Sequence, residues 1–220
     1  MPKISISEEL KKACPKLRLG CIEASVRVET SSPGLLSEIE QKLTDLQQSL
    51  TIEEISKLPA IEASRKGYRA CGKDPARYRL SAEALLRRIV SGKGLYQINN
   101  VVDQLNLVSV VSGFSIGGYD ADKIEGEVRF GIGKANEPYQ GIGRGELNIE
   151  NLPVFRDEKG AFGTPTSDSQ RTEVTGSTQR FLMILIDFES SNEMEKAKLM
   201  AIGLLKEYCG GENIVDFNIE

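Results

Sequence analysis

Histidine is missing from all 220 residues. Its absence excludes Ser-His-Asp and Cys-His nucleophilic catalysis, His-based zinc sites and the commonest switch near neutral pH. A general base here must be Asp, Glu, Lys or Cys, or a water held by polar groups. Cysteine is scarce, at positions 14, 21, 71 and 209, and no C-x-x-C pair occurs. That spacing argues against a zinc ribbon or a thioredoxin-like couple. The opening "MPKISISEELKKACPK" lacks the apolar stretch of a secretory signal. The expectation is therefore reduced, mostly buried thiols in a cytoplasmic protein. No apolar run approaches the roughly twenty residues of a membrane span, so no membrane partner is expected. A basic excess is also missing: Lys and Arg number 28 against 32 Asp and Glu, a formal net charge of −4. RNA contact would have to come from a local patch, for which Lys66, Arg69, Lys73, Arg77, Arg79, Arg87 and Arg88 are the candidates, against the plainer reading of a solvated helix face.

Apolar residues are plentiful, at 40%, enough for a full core in one large or two small domains. Segment 33–50 has Leu35, Leu36, Ile39, Leu43 and Leu46 at helical spacing, with Pro33 suited to a first turn. Thr51 and Glu54 form a capping-box pattern. Ser81 is the expected N-cap of a helix over 81–94, with Gly92 as its stop. Segment 17–30 reads as a strand. After Gly113 glycine becomes frequent and strands short, until "RFLMILIDF" (180–188), apolar on both faces, which should be a central strand. A helix over 190–211 and a last strand follow. The order of strand, helices, strands, helix and strand predicts an α+β fold. Its expected division is an N-terminal α/β segment, 1–73, packing on a core of 74–220.

Short motifs carry little here. "GIGRG" lacks the later glycine of a dinucleotide fingerprint, and "SGKG" lacks most of a phosphate loop. Asp120, Asp122 and Glu125 alternate with Lys123, which suits a solvated loop better than a cation site. No cofactor and no metal are expected.

Two segments attract a functional reading. In "INNVVDQLNLVSVVSGFSIGGYD" (98–120), Asn99, Asp103 and Asn106 lie along one helical face, opposite Val101, Val102, Leu105 and Val108. The plain reading is a solvated amide face. The sharper one has this face supporting the bend after Gly113, while Gly117 and Gly118 let a ligand approach the backbone. In "TSDSQRTEVT" (166–175), Asp168, Ser169, Arg171 and Thr172 either order their own loop or line a ligand wall, with Arg171 facing a carboxylate or phosphate.

The run "INNVVDQLNLVSVVSGFSIGGYDADKIEG" resembles the B3/4 tRNA-editing domain of the phenylalanyl-tRNA synthetase β chain. Val101, Val102, Asp103, Asn106, Gly113, Tyr119, Asp120, Lys123, Ile124 and Gly126 carry the likeness. "DPARYRLSAEALLRRIVSGKG" and "SDSQRTEVTGSTQRFLMILIDF" are similar to free-standing members of that family, so the resemblance spans roughly 74 to 188. It implies an α+β fold with a β-sandwich core flanked by helices, and an editing-type cavity. It further implies a protein that binds, and in one form hydrolyses, mischarged aminoacyl-tRNA in trans. The alternative is a non-catalytic module for an aminoacyl-tRNA end, an amino acid or another small polar ligand. Gly113, Gly117, Gly118, Asp168, Ser169, Arg171 and Thr172 would form the pocket, with Asn99, Asp103 and Asn106 behind it; no catalytic residue is assigned. The chain departs from the family at two positions. Gly117 stands where the synthetase loop has a His, and Ile184 where its strand has a Glu that reads the tyrosine hydroxyl.

Overall fold

The computed structural model describes residues 2–220. In chain order it comprises β1 (Ile4–Ile6), α1 (Glu8–Ala13), β2 (Arg18–Ser25), α2 (Pro33–Ser49), α3 (Ile52–Ile55), α4 (Pro59–Ala70), α5 (Ser81–Val90) and α6 (Asn100–Ser112). Then come β3 (Ser115–Asp120), β4 (Val128–Ile132), β5 (Gln140–Gly141), β6 (Gly145–Glu146), β7 (Pro153–Asp157), β8 (Gly160–Gly163), β9 (Arg180–Asp187), α7 (Glu193–Tyr208) and β10 (Glu212–Ile219).

Two four-stranded sheets carry the architecture, in the orders β1-β4-β7-β8 and β10-β2-β9-β3. The second is antiparallel throughout; in the first only β1 and β4 run parallel. Strand alternation divides β9 between two cores. Leu182, Ile184 and Ile186 enter the sandwich interior with Leu19, Phe130, Phe155 and Phe162, while Phe181, Met183 and Leu185 meet Val101, Val108, Ala201 and Leu205 of α6 and α7. The all-apolar reading of 180–188 therefore locates a strand covered on both faces, between β2 and β3. A third cluster, including Ile61, Tyr68, Leu86 and Ile149, binds α3, α4 and α5 to the 139–154 region.

Segment 1–73 contributes strands to both sheets. β1 lies beside β4, and β2 is an interior strand of the second sheet. β2, which ends at Ser25 within the strand expected over 17–30, is buried on both faces, one of them covered by α7. Helix signals fare well. Pro33 occupies the first turn of α2, and Thr51 with Glu54 closes a capping box. Gly92 terminates α5 with φ of 75°. Ser81 differs from expectation: Leu80 holds the cap position, and the Ser81 N–H donates instead to Pro165 O at 2.8 Å. A tertiary carbonyl thus satisfies one of the unpaired first-turn N–H groups of α5, and no side-chain cap is made.

Candidate functional site

β3 exits α6 through Gly113, whose φ of 77° reverses the chain. Along β3 the side chains alternate. Tyr119 enters the sandwich, where its ring meets Phe162 edge-on at 4.9 Å and Phe155 at 6.2 Å. Gly117, two residues earlier on the same face, pairs across the ladder with Ile184. A Cβ on Gly117 would overlap the Tyr119 hydroxyl, and so would one on Gly163 of β8. Gly118 faces the helices, and a Cβ there would stand 2.5 Å from Leu105 of α6. Close approach to this backbone is thus made by the protein's own side chains.

The loop from Thr164 to Asp168 is tied to three buried tyrosines from three places in the chain. Tyr68 of α4 shares a hydrogen bond with the Thr166 hydroxyl at 2.8 Å. Tyr139 donates to Ser167 O at 2.6 Å, and Tyr119 donates to Asp168 Oδ1 at 2.9 Å. The Thr164 hydroxyl oxygen accepts from the N–H groups of Thr166 and Ser167, closing the turn on itself. Burial raises all three phenols above their ordinary range, so each stays neutral.

Asp168 is the chemically distinctive group. Its Oδ2 accepts from the Gly118 N–H at 3.2 Å, alongside the Tyr119 bond to Oδ1. Burial pushes its carboxyl up to about 7 from 3.8, against the opposing pull of those two bonds. A carboxyl titrating there can both take and return a proton at neutral pH.

Of the remaining sequence-selected residues, Ser169 and Arg171 have structural partners. Ser169 Oγ accepts from Arg171 N, capping the short 3-10 turn Gln170–Thr172. Thr172 is fully buried, and among the described residues its hydroxyl has no hydrogen-bond partner. The Arg171 guanidinium forms a two-pronged pair with Asp157, at 2.7 and 3.0 Å, and also reaches Lys123 O and Gly160 O. It ties the β7–β8 hairpin to the turn after β3. Ser169 and Arg171 border an open cleft of about 430 Å³ with Tyr139 and Gln140. Gly113 borders a different cavity, about 420 Å³, with Leu50, Leu58, Val110 and Phe114. Thus Gly117, Gly118 and Asp168 come together, and Gly113 does not join them.

The amide face of α6 works at the opposite end of the helix from Gly113. Asn99 caps it, its Oδ1 accepting from Val102 N at 2.9 Å. Asp103 accepts from the Ser31 hydroxyl at 2.6 Å and from Ile98 N at 2.9 Å. Asn106 is half-buried. The residue that sequence reasoning passed over is Asn100. It is buried, accepts from Glu29 N, and donates to Arg27 O and Tyr208 O. These groups hold the segment after β2 and the end of α7, not the bend into β3. Tyr68 and Tyr139 were equally hidden, because a lone Tyr gives no spacing signal, and Tyr119 entered the sequence reading only as part of the family motif, with no sign of its bond to Asp168.

The four cysteines are free and buried. Among the described residues, no group of Cys, Asp and Glu could hold a metal ion, and no helix is long and apolar enough to cross a membrane.

A sandwich of this order, with the β3 motif set against the 164–168 loop, defines an α+β domain of known type. The B3/4 domain family model matches residues 63–210, more than half of the chain, and the chain belongs to that family. Among solved structures it is similar to an N-terminal fragment of the phenylalanyl-tRNA synthetase beta-subunit from Pyrococcus horikoshii, with a TM-score of 0.51 and 16% identity. That likeness is one of fold. It covers 98% of this chain and 53% of the other, so the chain spans about half the length of the synthetase fragment. No curated protein matches the sequence.

Proposed function

We propose that this B3/4 domain engages aminoacyl-tRNA in trans at the Thr164–Asp168 loop and hydrolyses the aminoacyl ester, with Asp168 as the base. The observation that carries this reading is the convergence of Asp168 with β3. The carboxylate is oriented by the Tyr119 hydroxyl and the Gly118 N–H, and desolvation holds its pKa near the working pH. In the reaction, Asp168 takes a proton from water as the water oxygen attacks the ester carbonyl. Collapse of the tetrahedral intermediate breaks the bond to the ribose oxygen, which recovers the proton and leaves as a hydroxyl. The ester is already activated, so one positioned base and an ordered water suffice for appreciable rate.

One observation favours a second reading, binding without turnover. Gly117 and Ile184, the two positions that depart from the synthetase pattern, are direct partners across the ladder, and Tyr119 fills the space beside them. The amino-acid moiety would then rest against the loop rather than within the sandwich. One experiment separates the two. A panel of mischarged tRNAs is incubated with protein near the tRNA concentration, and both tRNA binding, by anisotropy, and released amino acid are followed for wild type and Asp168→Asn. Release that falls at least about a hundredfold in the variant supports hydrolysis. Binding without release leaves the second reading, and neither binding nor release removes both.

A further inference from the structure

Glu83, in the first turn of α5, has a side chain only 1% exposed. Three guanidinium groups surround it. Arg65 of α4 lies 2.8 Å from Oε2; Arg87, one turn further along α5, lies 3.0 Å from Oε1; and Arg79, just before the helix, lies 4.0 Å from Oε1. Three positive charges against one carboxylate leave an excess of two at one spot, in a chain whose formal net charge is −4. Direct hydrogen bonds to Glu83 use one N–H of Arg65 and one of Arg87. Among the described residues these three side chains have no other hydrogen bond or ion pair, so most of their donors are unused. Exposure rises outward, from 18% for Arg65 through 27% for Arg87 to 50% for Arg79. Neutralising Glu83 needs one arginine. The other two are held close together at the cost of mutual repulsion; Glu83 orients Arg65 and Arg87 through hydrogen bonds, and draws Arg79 in by charge alone.

Their position matters as much as their number. α4 also carries Tyr68, which bonds Thr166, and α5 opens at Ser81, whose N–H donates to Pro165 O. The two helices that bring the arginines together are the two that grip the Thr164–Asp168 loop.

We infer that Arg65, Arg79 and Arg87, held in place by Glu83, form a phosphate-binding site on the flank of that loop. Paired guanidinium forks match the oxygens of a phosphate in charge and in geometry. Resting on the function proposed above, the ligand is a backbone phosphate of the tRNA whose aminoacyl end addresses Asp168.

The test titrates inorganic phosphate and uncharged tRNA separately. Phosphate is followed by the arginine Nε–Hε resonances, and tRNA by anisotropy at several salt concentrations. Wild type is compared with Arg79→Ala and Arg79→Glu; Arg79 is half-exposed and the most distant from Glu83, so both variants keep the fold, which a thermal melt checks. Phosphate should shift the signals of Arg79 and Arg87. Arg79→Ala should weaken tRNA binding about threefold to tenfold and lower the salt slope by about one, with Arg79→Glu weaker still. Wild-type tRNA affinity in both variants overturns the site and leaves the tRNA reading standing. Phosphate shifts without any tRNA binding keep the site and overturn the tRNA reading. Silence in both titrations overturns both.

Discussion

The Tyr119 hydroxyl lies in the volume that a side chain on Gly117 would need. The same hydroxyl also fills the space above Gly163 and ends its reach on Asp168. One aromatic side chain thus couples two glycines on different sheets to the carboxyl of the loop. A histidine at 117, as in the synthetase pattern, and this placement of Tyr119 are mutually exclusive on steric grounds.

Gly117→Ala and Gly163→Ala should each destabilise the fold by about 1–3 kcal/mol, through overpacking against Tyr119. The double variant should cost less than the sum, because a single displacement of Tyr119 relieves both overlaps. Urea denaturation of the three variants measures this. Strictly additive costs would show that the two glycines do not share Tyr119.

Asp168 titrates near 3.8 when unfolded and is raised to about 7 in the fold. Between those values the native state binds more protons than the unfolded state, so stability should fall as pH rises from about 4 to about 7. Asp168→Asn should flatten that part of the profile. Denaturant unfolding at a series of pH values reads the slope, and an unchanged slope would remove Asp168 as its source.

Arg171→Ala should cost about 3–5 kcal/mol, because Asp157 has a fully buried side chain and would lose its counter-charge. Burial acts to raise the Asp157 carboxyl, but the Arg171 guanidinium and the N–H groups of Glu125 and Lys159 hold it below its ordinary value. A depressed carboxyl contributes stability above its unfolded pKa, and loses it as pH falls through the folded one. Asp157→Asn in the Arg171→Ala background should recover part of the loss, as double-variant unfolding would show. An Arg171→Ala protein of wild-type stability would contradict this assignment.

Asn100→Ala should destabilise by about 2 kcal/mol or more. The substitution strands the carbonyls of Arg27 and Tyr208 and the N–H of Glu29. Hydrogen exchange should rise first in the 27–31 segment and at the end of α7. A loss confined to the β3 bend would instead place the amide face where the sequence pattern suggested.

How far the sequence reached can be judged on single elements. The periodicity of 33–50, the Thr51–Glu54 box and the doubly apolar 180–188 gave α2, α3 and the central β9, because each rests on neighbours along the chain. Ser81 was misjudged because its donor found Pro165, 84 positions away in sequence only and adjacent in space. Arg171 offered the chemistry of an anion site, and nothing nearby in sequence shows that Asp157 would engage it. Arg65 escaped notice for the same reason: its partner Glu83 lies on another helix.

The order of residues by itself determined the α+β class, the family resemblance, the chemistry open to a chain without histidine, and the helices whose stripes and caps are local. Tertiary structure alone decided which polar groups stay free. Tyr119 in the lap of Gly117, Arg171 spent on Asp157, and three arginines drawn around Glu83 are all contacts across the fold. Their strength comes from burial, which makes an unpaired charge or donor costly and so fixes its partner wherever the chain brings one within reach.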